Sequence, residues 1–578
     1  MFFFLNTLKK VNYVFNIKYS SYIPLLSLFM LLTLLEILSI GLIVPYMNLI
    51  FNPDFVLELK FFKEIFNMKN NFNSYELIIF FSTVFALIFT IKTFFIIFVR
   101  YKIQKFSLGN QKNLQIKLMH TYQNMDYSDF NKKKHSEYIR NIREFSATCM
   151  SCLEMGLRVT SEIIIIFSII FFLLFLEPIP LLIISTTILF SLFLYNSLLK
   201  PMAVKWGLEK TDATKFIYQS VDDSFKGFKE IKSLGKQFFF SEFLRKGTNL
   251  VFKNDLKSSL IINSPRYFLE LVIVIFIVSY LSINISVKGI DFNFLPTLAI
   301  FSLAGFRMLP SAAVVSNGIL MISYSNAALN VIYDDLKKIN SKKNNFESNN
   351  INKLDSFNSL EFKNIFFSYS KTNKNILDNI NFKLEKNQII GLIGETGSGK
   401  TTLVDILLGF LKPTGGKIFI NEKESDPIIL NYSNKIGYLP QENFIINDTL
   451  EANITLTYDK KKIDYEKLKE ILNLLKLSRF VFDLPSKFDT LIGENGVKLS
   501  GGQRQKVCLA RLLYHDREIL VLDEATNALD KENENLVIDS LKSLSNKTII
   551  IISHDHNNLR FCDKLYEIIN GKILIKSN

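Results

Sequence analysis

The eight residues Gly394-Glu-Thr-Gly-Ser-Gly-Lys-Thr401 match the pattern G-x-x-x-x-G-K-[ST] without a mismatch. Glycines let such a loop curl until its backbone N–H groups converge on phosphates, Lys400 adds a positive charge, and the Thr401 hydroxyl faces a magnesium ion. Residues 388–393 before the loop are predicted to form a buried strand and residues 402–408 after it a helix, which is the setting such a loop requires. The segment predicts a nucleoside triphosphate site contacted by Gly394, Glu395, Thr396, Gly397, Ser398, Gly399, Lys400, Thr401 and Thr402.

Two carboxylates, Asp523 and Glu524, end a second apolar run that begins at Ile519 and is predicted to be a buried strand. Asp523 is placed to reach magnesium, and Glu524 to polarise an attacking water. Upstream, Leu499-Ser-Gly-Gly-Gln503 precedes a helix that is predicted from Arg504 onward. Its serine, its glycine amides and the helix N-terminus can form a second phosphate-binding surface. The residues assigned to that surface are Ser500, Gly501, Gly502 and Gln503.

Both groups of residues lie in a soluble α/β domain, predicted over residues 359–578, in which apolar runs of strand length alternate with helical segments. Residues 336–358 are dense in Lys, Asn and Ser without an apolar period, so they are predicted to be a linker. The formal net charge is +14, but no basic motif interleaved with aromatic residues is present, and nucleic acid is not expected as a partner.

Six long apolar stretches occupy residues 1–335, and each can cross a hydrocarbon core of ~30 Å, which needs ~20 helical residues. They comprise about residues 22–51, 76–100, 158–176, 179–199, 260–284 and 293–324. The N-terminal segment and the connections 101–157 and 200–259 are rich in Lys and Arg, whereas Lys288 is the one basic residue in the two short loops. Because basic loops stay in the cytoplasm, both termini and the α/β domain are predicted to be cytoplasmic.

Two further helices and a cysteine pair are predicted in the same region. Apolar residues recur at helical spacing from Phe4 to Phe15, which indicates either an amphipathic helix on the cytoplasmic membrane face or an ordinary surface helix. Residues 52–68 predict an interfacial helix on the outer side. Cys149 and Cys152 form a C-x-x-C pair, for which reduced, inert thiols are the alternative to a redox or metal site. Four cysteines in 578 residues exclude a disulfide scaffold.

Five sequence elements occur in an order and at a spacing typical of one family: Gly394–Thr401, Gln441, Leu499–Gln503, Asp523–Glu524 and His554. Together they resemble the ATPase domain of an ABC transporter. The resemblance implies ATP and Mg²⁺ as cofactors, with magnesium held by Thr401, Gln441 and Asp523. It assigns catalysis to Glu524, Gln441 and His554. In the family, the glutamine senses magnesium and the membrane domain, and the histidine contacts the γ-phosphate.

Three smaller sequence matches add to this resemblance. Tyr369 corresponds to the aromatic residue that stacks on adenine, and Gly493–Gly496 resembles an exporter segment that touches the membrane domain. Asn527–Asp530 resembles the loop that joins the two sites, although the family more often has Ser in place of Asn527.

One chain carries one phosphate loop and one Leu-Ser-Gly-Gly-Gln signature, which in the family face each other across two subunits. A homodimer with two composite ATP sites is therefore implied. The implied fold is a membrane all-α domain of six helices, as in type I ABC exporters, followed by an α/β P-loop NTPase domain.

Charged side chains within the apolar stretches bear on what such a chain moves: Glu36, Lys92, Arg266, Glu270 and Arg307. Glu36 and Lys92 lie on neighbouring stretches, and Arg266 and Glu270 are one helical turn apart, so each couple can be neutralised by pairing. Arg307 has no evident partner in its own stretch. Alternatively, because each charge occurs twice in a homodimer, the basic residues line an inner cavity that suits a phosphate or pyrophosphate headgroup.

Three strings, residues 35–46, 265–270 and 306–311, are similar to those of bacterial PglK-type flippases for polyprenyl-diphosphate-linked oligosaccharides. The resemblance implies that Lys92, Arg266 and Arg307 engage the pyrophosphate of an anionic lipid-linked substrate in the bacterial inner membrane, and that the outer helix engages its lipid tail. A further arginine expected after Ser311 is absent, with Val314 or Val315 in its place. A lipid A-type or multidrug exporter is one alternative, and a membrane-anchored ATPase with a structural or regulatory role is another.

Overall fold

The computed structural model describes residues 2–42, 46, 74–174, 178–288, 295–347, 354–369, 375–493, 496–524 and 531–576. The chain divides into two compact units. The first comprises Met1–Met125 with Asp129–Asn345, and the second comprises Asp126–Ser128 with Phe346–Asn578.

The chain up to residue 347 is built from helices and short connections. The helices are α1 (Phe2–Phe15), α2 (Ile23–Gly41), α3 (Ser74–Gln123), α4 (Tyr127–Phe130), α5 (His135–Arg140), α6 (Ser146–Leu174), α7 (Pro178–Lys226), α8 (Phe228–Ser233), α9 (Gln237–Asn263), α10 (Pro265–Lys288) and α11 (Leu295–Glu347). A 3-10 turn, Tyr19–Tyr22, precedes α2, and a π-helical stretch, Asn141–Phe145, joins α5 to α6. Within the described residues, six helical segments are long and apolar enough to cross a membrane.

Several helices are longer than the apolar stretches that predicted them. α3, α7 and α11 have 50, 49 and 53 residues. Hydropathy marks only the part of a helix that lipid can contact, so it does not predict where a helix ends in water. α11 continues to Glu347, which makes the first half of the segment predicted as a linker, 336–358, helical.

The first and fifth stretches differ in another way. α2 covers the first part of stretch 22–51, whereas residues 43–45 and 47–73, with the predicted outer helix 52–68, lie outside the described residues. Stretch 260–284 is divided at Ser264, where α9 ends and α10 begins. Pro265 is the first residue of α10, and its ring leaves it without the N–H that would continue the preceding helix.

One hydrophobic core connects α1 with the long helices. Phe29 of α2, Leu118 of α3 and Ile169 of α6 are fully or almost fully buried in it. Val11 and Val14 of α1 belong to the same core. The helical spacing of apolar residues in the N-terminal segment therefore does correspond to a helix with one buried face.

Two sheets form the second unit. β1 (Ser359–Phe367), β2 (Leu377–Glu385), β4 (Gly415–Ile420) and β5 (Lys423–Glu424) make an antiparallel sheet in the order β2-β1-β4-β5. β3 (Ile389–Gly394), β6 (Ile436–Leu439), β7 (Ile519–Asp523), β8 (Thr548–Ile552), β9 (Lys564–Ile569) and β10 (Lys572–Lys576) make a second sheet in the order β10-β9-β3-β8-β7-β6. Its pairs are parallel except for β10 with β9.

The central strands of this second sheet are buried on both faces. Ile390 and Leu392 of β3 face a core shared with the antiparallel sheet, and Ile393 faces a second core shared with the helices. In β7, Val521 faces the core shared with the antiparallel sheet, and Leu522 faces the core shared with the helices. Burial on both sides explains why these strands are continuous apolar runs in the sequence.

The helices of the second unit are α12 (Lys400–Leu407), α13 (Ile428–Tyr432), α14 (Leu450–Thr455), α15 (Tyr465–Leu474), α16 (Ser478–Asp483), α17 (Gly501–Tyr514) and α18 (Lys531–Lys542). The phosphate loop joins β3 to α12, as its flanking sequence predicts. Because β6, β7 and β8 are parallel neighbours, the residues that follow them lie along one edge of the sheet.

Candidate functional site

The phosphate loop owes its shape to glycines. Gly397 and Gly399 have φ values of +83° and +107°, which residues with side chains rarely adopt. A Cβ atom at Gly399 would also lie 2.8 Å from Leu377 Cδ2, so packing requires glycine there too. Lys400 Nζ donates to Gly394 O at 2.5 Å and to Glu395 O at 2.8 Å, which holds the ammonium over the loop.

The polar groups of this loop fit a triphosphate. Ser398 Oγ is buried and has no hydrogen-bond partner among the described residues. Burial lowers the pKa of Lys400, while the charges of Glu524 and Asp523 oppose that shift. Phosphate oxygens satisfy a hydroxyl donor of this kind and an ammonium in partial burial. Of the two threonines that follow, Thr401 is exposed and Thr402 is buried.

Asp523 ends β7 beside a tyrosine that the sequence analysis missed. Tyr438 of the neighbouring β6 donates its hydroxyl to Asp523 Oδ2 at 3.1 Å. Burial raises the pKa of Asp523, and the hydrogen bond from Tyr438 lowers it. Burial and the nearby Asp523 charge raise the pKa of Tyr438, so the phenol remains a donor. Tyr438 lies near the end of β6, which pairs in parallel with β7, and this position is what could have indicated its contact with Asp523.

The structure brings the three predicted catalytic residues together at the carboxyl edge of the sheet. Gln441 Nε2 donates to Glu524 Oε2 at 2.6 Å, and His554 Nε2 lies 2.7 Å from Glu524 Oε1. Glu524 is buried, whereas the His554 side chain is 45% exposed. Both carboxylate oxygens are therefore held in place, as the positioning of a water by a general base requires.

The backbone of Glu524 is also constrained. Its φ of +51° is left-handed, a conformation that costs energy for a residue with a long side chain. Its N–H donates to Ile552 O at 3.0 Å, and its carbonyl accepts a hydrogen bond from Gln505 Nε2 at 3.2 Å. Gln505 is a buried residue near the start of α17. The helix that follows the signature is thus tied to the backbone of Glu524, and nothing in the sequence distinguished Gln505 for this contact.

α17 begins at Gly501, and the predicted start at Arg504 was wrong. Ser500 Oγ accepts from Gln503 N at 3.2 Å, and Ser500 N donates to Gln503 Oε1 at 2.9 Å, which is a capping box. The Ser-x-x-Gln spacing is itself a signal for a helix start, so the two glycines between lie in the first turn. No hydrogen bond joins Ser500–Gln503 to the phosphate loop among the described residues.

Other residues predicted from family resemblance lie at the rim or beyond the described residues. Tyr369 is 45% exposed after β1, and its ring centroid lies 5.0 Å from that of Phe367. Gly493 and Gly496 have positive φ values of +80° and +66°. The two residues between them, and the whole of Asn527–Asp530, lie outside the described residues.

Glu36 and Lys92 form a buried ion pair in the first unit. Lys92 Nζ lies 2.8 Å from Glu36 Oε2 and donates to Ser39 Oγ at 3.0 Å. The side chains of Lys92 and Glu36 are 10% and 1% exposed. The pair joins α2 to α3, as the pairing interpretation of these two charges expects. A direct role of Lys92 in substrate binding stays a prediction.

The other predicted couple does not form. Arg266 and Glu270 of α10 are exposed in this unit, and neither has an ion pair among the described residues. A pair one turn apart at an exposed site gains only ~0.3–0.5 kcal/mol, too little to fix two long side chains. The backbone of Arg307 lies in α11, but its side chain is outside the described residues.

A cavity of about 190 Å³ lies beside the buried pair, lined by charges that the sequence analysis did not connect. These are Arg100 of α3 and Arg158 and Glu162 of α6. Arg158 Nη2 lies 2.9 Å from Glu154 Oε1, and Glu162 Oε2 accepts from Ser311 Oγ at 2.6 Å. Arg100 ends one predicted apolar stretch and Arg158 begins another. These positions could have indicated that both arginines lie near the same cavity.

The four cysteines are buried and form no disulfide bond. Cys149 and Cys152 lie in the interior of the first unit. Burial raises the pKa of the Cys508 thiol above its ordinary value, and burial raises the pKa of the Cys562 thiol to about 12. Among the described residues, no cluster of His, Cys, Asp and Glu could hold a metal ion. Burial of Cys149 and Cys152 supports the inert-thiol interpretation of their C-x-x-C pair.

Comparison with solved structures and a family model supports the two-part fold. Residues 377–527 match the family model described as ABC transporter. A bacterial Atm1-family ABC exporter with ATP bound matches 96% of this chain and 95% of its own chain, with a TM-score of 0.74 and 15% identity. The fold is a six-helix membrane domain of the type I ABC exporter kind, followed by an α/β P-loop NTPase domain, as predicted.

Curated relatives match a smaller part. A putative export ATP-binding/permease protein of Rickettsia bellii is 36% identical over 277 residues, which are 47% of this chain and 44% of that protein. An ATP-dependent lipid A-core flippase of Ralstonia nicotianae is 36% identical over 218 residues, 37% of each chain. The alpha-hemolysin translocation ATP-binding protein HlyB of Escherichia coli O157:H7 is 38% identical over 218 residues, 37% of this chain and 30% of that protein. This chain therefore spans less than half the length of these relatives.

Proposed function

We propose that this chain is an ATP-hydrolysing half-transporter that moves an anionic, lipid-linked substrate across the bacterial inner membrane. The observation that carries the proposal is Glu524 held between Gln441 and His554 at the edge of the P-loop sheet. A carboxylate fixed on both oxygens is suited to polarising water, which nucleotide binding alone does not require. In the same chain, six membrane-length helical segments offer a path that hydrolysis can drive.

The nucleotide site is completed by a second copy of the chain in this proposal. Tyr369 and the phosphate loop of one copy bind ATP, and Ser500–Gln503 of the other copy binds the same phosphates. Thr401, Gln441 and Asp523 would hold magnesium, and bound MgATP would supply the phosphoanhydride bond whose hydrolysis releases energy. Both termini and the ATPase domain, residues 359–578, lie in the cytoplasm.

The substrate class follows from the charges that remain available. Lys92 is compensated by Glu36, whereas Arg266 is exposed and has no ion pair among the described residues. With Arg307 it offers guanidinium groups that bind phosphates in a bidentate way. A polyprenyl-diphosphate oligosaccharide carries such phosphates and is the proposed substrate. A lipid A-type substrate is the second candidate, because a lipid A-core flippase is among the relatives with 36% identity.

The test is transport in proteoliposomes with a labelled lipid-linked oligosaccharide, a lipid A analogue and a hydrophobic amine in parallel. We expect ATP-dependent movement of the oligosaccharide, and none with Glu524→Gln as the matched control. Arg266→Ala and Arg307→Ala should abolish movement but spare basal ATPase activity, and Arg266→Lys should retain part of it. Movement of lipid A instead would select the second candidate. Stimulation of the ATPase by the amine alone would point to a multidrug exporter, and hydrolysis without any movement would refute transport.

A further inference from the structure

The first unit contains a cavity of about 440 Å³ between α1, α2 and α6. Its walls are mainly hydrocarbon, from Leu8 of α1, Leu25 and Phe29 of α2, and Leu153 and Leu157 of α6. The cavity extends along α6 from Cys152 to Thr160, a distance of ~12 Å at ~1.5 Å per residue.

Part of this cavity is lined by polar side chains from α1 and from the residues before α2. Lys9 and Asn12 of α1 line it together with Tyr19 and Tyr22, which precede α2. Tyr22 donates its hydroxyl to Asn12 Oδ1 at 2.6 Å, and Tyr19 is 73% exposed. Lys9 is exposed and forms no ion pair among the described residues. Tyr19 begins a helical segment that is apolar enough to cross a membrane. We therefore place these polar side chains at the membrane–water boundary, where tyrosines commonly lie.

We propose that this cavity binds one acyl chain of an anionic membrane phospholipid, whose phosphate is held at Lys9. An apolar cavity offers water too few hydrogen-bond partners, whereas lipid chains surround the helices at this depth. The cation at this boundary complements a phosphate, as expected for a lysine next to anionic lipids. The site depends neither on ATP hydrolysis nor on transport, so it stands or falls separately from the proposed function.

Gly156 gives a direct way to test the site. It lies in the middle of α6 and lines the cavity, and a Cβ atom placed on it would have no atom within 4 Å. A larger side chain at this position therefore grows into the empty volume instead of colliding with the helices around it. Gly109 of α3 is the matched control, because it is also helical, is exposed, and has nothing within 4 Å of a Cβ atom.

The experiment compares the full chain with Gly156→Trp, Gly156→Leu and Gly109→Trp. Each is purified from nanodiscs containing equal amounts of phosphatidylglycerol and phosphatidylcholine, and retained lipid is counted by native mass spectrometry. We expect the unchanged chain and Gly109→Trp to retain phosphatidylglycerol. Gly156→Trp should reduce its occupancy about tenfold, the ratio that corresponds to ~1.4 kcal/mol, with a smaller fall for Gly156→Leu. Elution as a single species on size exclusion confirms that each variant is folded.

Lys9→Gln separates the headgroup from the chain. This variant should still retain lipid but lose the preference for phosphatidylglycerol over phosphatidylcholine. Equal retention by the unchanged chain and Gly156→Trp would overturn the site, as would the absence of retained lipid from the unchanged chain. Retention of an isoprenoid in place of a phospholipid would overturn the assignment of its occupant. An unchanged headgroup preference in Lys9→Gln would overturn the role of the lysine.

Discussion

The ion pair between Glu36 and Lys92 can be removed one charge at a time or as a whole. Glu36→Leu leaves the Lys92 ammonium in a site where its side chain is 10% exposed, with Ser39 Oγ at 3.0 Å as a remaining acceptor. Lys92→Met leaves the Glu36 carboxylate, whose side chain is 1% exposed. The double variant replaces both charges by apolar side chains of similar length. Comparing the three variants isolates the coupling between the two charges.

The expected cost follows from burial. Removing one partner of a buried pair costs ~3–5 kcal/mol, because the other charge is left without compensation. Each single variant should fall in this range, and in Glu36→Leu the Ser39 hydroxyl still accepts from Lys92. At ~2–4 °C per kcal/mol for a domain of more than ~150 residues, each single variant should lose at least ~6 °C in Tm. The double variant should lie within ~2 kcal/mol of the unchanged chain, because both desolvation costs disappear together.

The assay is thermal unfolding of the four proteins in one detergent, followed by transport in proteoliposomes. Recovered stability with retained transport in the double variant would make Lys92 a structural residue that joins α2 to α3. Recovered stability with lost transport would show that Lys92 also contacts the substrate. A stabilising coupling between the two charges is excluded if neither single variant is destabilised. It is also excluded if the double variant loses as much unfolding free energy as the two single variants together.

Two further predictions concern the ATPase domain. Gln505→Met keeps the side-chain length but removes the amide that donates to the Glu524 carbonyl. We therefore expect kcat for ATP hydrolysis to fall about tenfold with KM unchanged. An unchanged kcat would contradict a role of Gln505 in positioning Glu524. Burial and the Asp523 charge raise the pKa of Asp405 from 3.8 to about 6. The folded domain therefore binds the Asp405 proton more tightly than the unfolded chain does. As a result, the domain loses stability as the pH rises from 3.8 to about 6. Asp405→Asn should therefore stabilise the magnesium-free domain by ~1–2 kcal/mol at pH 7.5, after allowance for solvent screening, and hardly at pH 4. Equal unfolding midpoints of both proteins at pH 7.5 would contradict it.

The strand–loop–helix shape of residues 389–407 could be predicted because the requirements of a phosphate loop are local. A loop that wraps phosphates with backbone N–H groups must place glycines at fixed positions. Gly399 shows this by its positive φ and by the 2.8 Å approach to Leu377 that a Cβ atom there would make. Tyr438 and Gln505 could not be predicted in this way. Tyr438 reaches Asp523 through the pairing of β6 with β7, and Gln505 reaches Glu524 through the packing of α17. Neither relation leaves a fixed spacing in the sequence.

The sequence predicted where the membrane helices lie, but not where they end or which of their charged residues pair. Hydropathy located six stretches, but the ends of α3, α7 and α11 lie where no lipid selects for apolar residues. Spacing of one helical turn made Arg266 and Glu270 seem a pair, whereas neither forms an ion pair among the described residues. Glu36 and Lys92 are 56 positions apart and do pair, so the partner of a charge depended on helix packing and not on sequence distance.

The missing arginine after Ser311 bears on how an anionic headgroup could still be held. Val314, one of the two residues that stand in its place, lines the cavity of about 190 Å³ beside the Glu36–Lys92 pair. Arg100 lines the same cavity from α3, is exposed, and forms no ion pair among the described residues. Because a guanidinium side chain is long, its position in space and not its position in the sequence decides which phosphate it can reach. Although position 314 holds valine and not arginine, Arg100 still supplies this cavity with a cation. The valine therefore does not by itself argue against an anionic substrate.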